Sequence, residues 1–318
     1  MYDHELQLGG RAALQYSLLR EVKMRTLPVG DFSAVLFFNP GRVHSVMADV
    51  SPETLANRKC FLCPAGLEDK QQTFLYGKEI VSETAASADA AWVADDADVY
   101  AACADYDGTY AIRVNPFPIF APHFTISSVL HEPQQMRGHY ADMLRLTRDL
   151  PEYAIFYNGA RCGASAPDHM HFQAVRQGNL PMQVYVDEHQ CLPHFCPSAV
   201  WLHGNDIATL EQAFFEQERL YAQKHQPPTC PQDMPPRPDS ADFNAVSWFN
   251  GEYNTIILFR RQSRPACFFA EDPGERILIS PGAVEMCGVA IVTTLDSFHR
   301  LTPEKLQDII KEVSVTLP

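Results

Sequence analysis

The chain has 318 residues, 46% of them hydrophobic and 20% charged, an ordinary balance for a soluble globular protein and enough length for one large domain or two. A net charge of −14 excludes a broad surface for nucleic acid or anionic membrane, so a nucleotide site would have to be a local pocket of basic and amide groups. No apolar run reaches membrane-spanning length, the start MYDHELQLGG lacks a charged-then-apolar leader, and nine cysteines without a paired framework fit a reducing compartment, so a cytoplasmic location is expected.

In chain order, LQLGGRAALQYSLLREVK has apolar residues at helical spacing, and FSAVLFFNPG reads as a buried strand ending in a turn. The acidic, alanine-rich stretch from Ser82 to Asp98 reads as loops around short elements. TYAIRVNPFPIF and HFTISSVL read as strands and YADMLRLTRDL as a helix, followed by strands at AIFYNG and HMHFQAV. MQVYVDE and PSAVWLHG read as further strands, and IATLEQAFFEQERLYAQKH as an amphipathic helix. The proline-rich segment around 226–239 is a loop or linker. FNAVSWFNGEYNTIILFRR predicts a β-hairpin turning at Asn250-Gly251. ACFFAED, RILISPG and CGVAIVTT continue as strands, and TPEKLQDIIKEVS is a helix opened by Thr302 and Pro303. Antiparallel strands with helices packed on one side give an α+β fold.

The stretch most informative for chemistry is YNGARCGASAPDHMHFQ, residues 157–173. In an extended strand alternate side chains share a face, so His169, His171 and Gln173 project together while Met170 and Phe172 point into a core. The small residues Gly163, Ala164 and Ser165 allow a tight loop whose N–H groups and hydroxyl approach an anion. Upstream lies a CxxC pair, Cys60 and Cys63, which on its own reads as a metal site, a redox pair or two plain thiols. Arg260, Arg261 and Arg264 follow the ILF strand, either as a phosphate clamp or as a solvated strand end, and Glu285 is a candidate for sugar hydroxyls.

Asn158, the Gly-Ala-Ser loop and His169-Met-His171-Phe-Gln173 together resemble the signature of a branch of the histidine triad superfamily. That branch holds the galactose-1-phosphate uridylyltransferases, the GDP-hexose phosphorylases and the dinucleoside tetraphosphate phosphorylases. HMHFQA is especially similar to the GDP-hexose phosphorylases, and Cys60-Phe-Leu-Cys63-Pro to the uridylyltransferases. Asn115-Pro-Phe117-Pro118 is similar to a nucleoside-pocket segment, and Asn39-Pro-Gly-Arg42 to a strand end bearing a phosphate-binding arginine. His131 stands where the family has a zinc histidine. The resemblance spans roughly residues 30–185 and implies two tandem histidine triad-like halves. Residues 1–195 would form the catalytic half and 196–318 a degenerate one without its histidines.

The resemblance implies a nucleotidyltransferase or nucleoside diphosphate-sugar phosphorylase. His171 would attack the α-phosphorus and form a nucleotidyl-histidine, splitting one displacement into two. The nucleophilic nitrogen has to be neutral, so the other ring nitrogen needs an acceptor such as a backbone carbonyl. Gln173 would hold a non-bridging oxygen, Ser165 would donate to the departing or entering oxygen, and Asn158 would hold the loop or the phosphate. Gly163, Ala164, Arg42, Asn115, Phe117, Arg260 and Arg264 complete the nucleotide and phosphate set. The implied metal is structural zinc on Cys60, Cys63, His131 and His169. The expected partners are a nucleotide or nucleotide-sugar with inorganic phosphate or a sugar 1-phosphate, and a homodimer as is usual for the family. Histidine triad hydrolases carry histidine where Gln173 stands, which disfavours a hydrolase. A non-catalytic nucleotide-binding protein is the remaining alternative.

Overall fold

A computed structural model describes residues 10–63, 73–77, 109–224 and 242–315. The expected loops from Ser82 to Asp98 and around 226–239, with Cys103, Cys230 and His225, lie outside the described residues. The chain runs α1 (Gly10–Leu18), β1 (Lys23–Val29), β2 (Phe32–Phe38), α2 (Val43–Val46), α3 (Pro52–Asn57), β3 (Phe74–Tyr76), β4 (Tyr110–Val114) and β5 (His123–Ser128). It continues through α4 (Tyr140–Asp149), β6 (Tyr153–Asn158), β7 (His171–Arg176), α5 (Pro181–His189), β8 (Ala199–Gly204) and α6 (Ile207–Lys224). The last elements are β9 (Phe243–Phe249), β10 (Tyr253–Phe259), α7 (Ala283–Met286), β11 (Val289–Val292), α8 (Leu295–Arg300) and α9 (Pro303–Val313).

The fold is α+β, built on an eight-stranded sheet in the order β3-β4-β5-β7-β6-β9-β10-β8 with antiparallel neighbours throughout. The strands before α5 and those after it form one continuous sheet, because β6 pairs with β9 from Ile155↔Ser247 to Asn158↔Asn244. Central strands are buried on both sides, so each face needs a cover. On one face α1, α4 and α6 pack over Ile155, Tyr157, Phe172, Ala174, Ala245 and Ile257. On the other, Phe156, Val175, Val246 and Trp248 meet a three-stranded sheet, β1-β2-β11, and the apolar sides of α5, α8 and α9. In that small sheet β11 runs parallel to β2.

The alternation of β7 sets the site. Phe172 and Ala174 enter the core under α4, which turns His171 and Gln173 to the opposite face with Val175. A slip of one residue would exchange the two sets, so the apolar core fixes where the histidine points. Helix α9 forms as its sequence dictates: Thr302 accepts from Lys305 N, Pro303 starts the first turn, and Leu306, Ile309, Ile310 and Val313 form the buried stripe. The hairpin turns through residues 250–252, with Gly251 at φ +110°.

Four stretches differ from their sequence reading. Residues 182–188, expected as a strand, lie in helix α5, because Pro181 starts a turn and Met182 and Val186, one turn apart, both enter the core. ACFFAED contains a 3₁₀ turn at Ala266–Phe268, and RILISPG joins neither sheet, with a tight turn where Ile279 N donates to the Ile277 carbonyl. The opening helix ends at Leu18, and after a 3₁₀ turn the chain enters β1, whose alternation is too weak to read from composition.

Candidate active site

The face of the large sheet that carries His171 opens into a cavity of about 610 Å³. Its wall brings together Arg42, Asn115, Phe117, Asn158, Gly163, Ser165, His171, Gln173 and Glu285 of the residues singled out in the sequence. Arg11 and Gln15 of α1, with Arg58 and Arg113, complete much of the polar lining. Ala164 is buried at 4% exposure and does not reach the wall. Nor do Arg260 and Arg264. Arg260 donates to the carbonyls of Gln262, Ser263 and Pro281, and Arg264 donates to those of Val46 and Ala48 and lies over Phe268. These two arginines brace the loops that wall the cavity.

His171 is buried, and its Nδ1–H donates to the carbonyl of His169 at 2.8 Å. That bond puts the ring proton on Nδ1 and leaves the Nε2 lone pair as the other reactive position. Burial lowers its pKa, which favours the neutral ring. Gln134, absent from the sequence reading, staples the backbone here: its Oε1 accepts from His171 N at 2.7 Å while its Nε2 donates to the carbonyls of His171 and Asn158. The start of β7 and the end of β6 are thereby held together.

The amides on the wall are oriented by backbone groups, which removes the usual ambiguity between their oxygen and nitrogen. Phe117 N donates to Asn115 Oδ1, so Asn115 Nδ2 donates to Thr125 Oγ1 and to Gln173 Oε1. Ile119 N donates to His123 Nδ1, so His123 Nε2–H donates to Gln173 Oε1 at 3.0 Å. With its oxygen filled from two sides, Gln173 offers the cavity its NH₂. Asn158 behaves alike, because Ala283 N donates to its Oδ1 at 2.8 Å. A Cβ on Gly282 would approach that oxygen to 2.9 Å, which explains the glycine there. Gly163, at φ +103°, lets the loop turn toward the cavity while passing close to Gly282.

The charges are arranged to suit. Glu285 is buried, with its carboxyl pKa raised by burial, while Gly282 N donates to its Oε2 and the Arg42 charge opposes the rise. Arg42 donates to the Phe117 carbonyl at 2.6 Å, and its Nε has no partner among the described residues. His123 is fully buried and pushed down to about 3, mainly by burial and next by the charge of Arg42.

Beside this wall, Cys60, Cys63, His131 and His169 bring four ligand atoms within 4.8 Å of one another. Cys60 Sγ lies 3.2 Å from His169 Nδ1, and Cys63 Sγ lies 3.2 Å from His131 Nδ1. A tetrahedral zinc with bonds of about 2.3 Å to sulfur and about 2.0 Å to nitrogen separates S from N by about 3.5 Å, so the set fits that ion. His169 Nε2–H donates to the carbonyl of Ser128, turning Nδ1 toward the thiols as an outer-sphere hydrogen bond does for a ligating histidine. Burial and the adjacent Cys60 push the Cys63 thiol up to about 12, the opposite of what a bound cation would do.

Gln134, His123 and Arg113 lie outside the short signature: pairing of β4, β5 and β7 brings His123 and Arg113 to the site, and the loop after β5 brings Gln134. Arg58, at the head of the CxxC segment, comes with the 58–63 loop. The sequence hints were Arg58 beside the CxxC pair and His123 in the predicted strand HFTISSVL, where a polar residue heads an apolar run.

The family profile described as "Domain of unknown function (DUF4922)" matches residues 1–82 and 95–176. No curated protein matches the chain by sequence. Among solved structures, yeast Ap4A phosphorylase Apa2 has a similar fold, with a TM-score of 0.58 at 14% identity over 98% of this chain and 97% of that one. Its complex with Ap4A gives 0.55 at 14% identity and its complex with AMP 0.53 at 13%, with the same coverage of both chains. The likeness extends through both halves of the chain.

His123 yields a prediction. It stays neutral in the fold but protonates in the unfolded chain below its ordinary value near 6.5, so acid destabilises the protein through it. Between about pH 6.5 and pH 5 the stability advantage of the native chain over His123→Asn should shrink by roughly 1–2 kcal/mol, measured by urea unfolding. A difference independent of pH would show that the imidazole is not held neutral.

Proposed function

The chain belongs to the DUF4922 family, and from that membership, its fold and the wall around His171 we propose that it is a nucleotidyl-transferring enzyme of the phosphorylase type. The observation that carries this reading is the orientation of the groups facing His171: the oxygens of Gln173 and Asn158 are filled, so both present N–H donors beside an unprotonated imidazole nitrogen. Such a surface complements the oxygens of a phosphate and offers a nucleophile to its phosphorus. The yeast structures with AMP and with Ap4A support placing a nucleotide in this cavity.

In the first step His171 Nε2 attacks the α-phosphorus, a P–N bond forms, and the P–O bond to the rest of the donor breaks. Gln173 holds a non-bridging oxygen, and Ser165, exposed on the loop, donates to the departing oxygen. Since the imidazole keeps its proton on Nδ1, charge developing on the ring is stabilised by the His169 carbonyl. In the second step an oxygen of inorganic phosphate or of a sugar 1-phosphate attacks the same phosphorus from the vacated side. The P–N bond breaks and neutral His171 returns. Asn115 and Phe117 line the nucleoside end and Arg42 stands beside them, while Arg260 and Arg264 serve as loop braces. Residues 1–195 form the catalytic half in this account, and 196–318 the half that lends residues 280–285 to the cavity.

Zinc belongs at Cys60, Cys63, His131 and His169 in the same account. When bound it ties the 58–63 loop to the residue that precedes the nucleophile by two, so metal-binding energy becomes folding energy for the site.

Incubation with UDP-, GDP- and ADP-hexoses and with Ap4A should give, in the intact mass, one nucleoside monophosphate on the native chain and none on His171→Ala. Added inorganic phosphate should discharge it. Nucleotides that bind with no adduct from any donor would leave only a binding role. Elemental analysis should find one zinc per chain, lost in the Cys60→Ser/Cys63→Ser double variant together with several degrees of Tm. A native chain purified with zinc available that carries none would refute the metal assignment.

A further inference from the structure

Arg58 lines the cavity and has no part in the steps above. It follows the last residue of α3 and stands two residues before Cys60, with its side chain 11% exposed. One Nη2–H pairs with Asp168, the neighbour of His169, and the guanidinium carbon lies 4.0 Å from the centroid of Phe61. Its Nε and Nη1 are buried without a hydrogen-bond partner among the described residues. Idle donors on a buried cation carry a desolvation cost, and in native proteins they mark a water, an ion or a ligand that completes the set. The protein's net charge of −14 makes a general basic surface no explanation.

The direction along β7 says which ligand group Arg58 meets. From His171, Gln173 lies toward Asn115 and Phe117, the proposed nucleoside end. Asp168, which holds Arg58, lies in the opposite direction along the chain. Nε–H and Nη1–H point to different sides of the planar guanidinium fork, so each meets a separate oxygen of a phosphate or phosphate chain in a charge-assisted bond. We propose that Arg58 is a binding residue for a phosphate other than the α-phosphate: the leaving phosphates of the donor in the first step and the attacking phosphate in the second. The assignment rests on the nucleotidyl-transfer reading for its place in the reaction, and on the geometry of Arg58 alone for anion binding.

The probes are tripolyphosphate, inorganic phosphate and, in turn, AMP, GMP and UMP, titrated calorimetrically into the zinc-supplied full chain. Arg58→Gln should lose about tenfold or more of the tripolyphosphate and phosphate affinity, the loss expected for a charge-assisted pair. Affinity for the nucleoside monophosphate that binds best should change by less than about threefold. Arg58→Lys keeps the charge without the fork, so it should fall between the two and serves if the glutamine variant does not fold. Unchanged tripolyphosphate affinity in either variant overturns the assignment, as does an equal loss for the monophosphate. If the native chain forms no adduct yet loses tripolyphosphate on Arg58→Gln, nucleotidyl transfer fails and the anion site stands. An adduct on the native chain with unchanged anion binding by the variant leaves the transfer reading intact and removes Arg58.

Discussion

The hydrogen bond from His171 Nδ1 to the carbonyl of His169 is the constraint on which the site depends. It fixes which ring nitrogen is bare and, because donor and acceptor lie two residues apart, it aims the ring by the geometry of the strand entry alone. Everything nearby maintains that entry. Gln134 clamps the His171 N–H and carbonyl, and Ser128 N donates to the Met170 carbonyl. Met170 and Phe172 are wholly buried on the far side. Loss of the clamp would free the imidazole to take the other tautomer, with the proton on Nε2.

A second layer of control comes from β4 and β5. The amide of Gln173 would present either end to the cavity if nothing held it. His123 and Asn115 hold it, and two backbone N–H groups in the loop 117–119 hold them in turn. The chain of fixed donors thus runs from a proline-rich loop to the amide that faces the cavity. The later part of the chain closes the same cavity from the other side through Ala283 and Gly282, braced by Arg260, so the wall needs both halves. The thiol and imidazole cluster anchors His169, whose carbonyl aims His171.

Much of this was legible in the sequence because it depends on local rules. Alternation placed His171 and Gln173 on one face, opposite Phe172, although His169 lies in the bend before the strand and faces the thiols. The Asn250-Gly251 pair marked the hairpin, and Thr302-Pro303 opened the last helix. The gathering of Cys60 and Cys63 with His131 and His169 also agrees with the implied ligand set. Where the outcome depended on tertiary partners, sequence reading failed. Residues 182–188 have the valines of a strand, yet Pro181 and core contacts one turn apart make them a helix. Arg260 and Arg264 have the composition of a phosphate clamp, but carbonyls of distant loops take their donors. His123 and Gln134 carry no motif and Arg58 only heads the CxxC segment; strand pairing, the loop after β5 and the 58–63 loop bring them to the site.

The central claim is a bare Nε2 on a neutral His171, and long-range ¹H–¹⁵N correlation of the histidine rings at neutral pH reads it directly. The account predicts that His171, assigned by its loss in His171→Asn, shows the Nδ1–H tautomer with an unprotonated Nε2. An Nε2–H tautomer or an imidazolium at that position would contradict it.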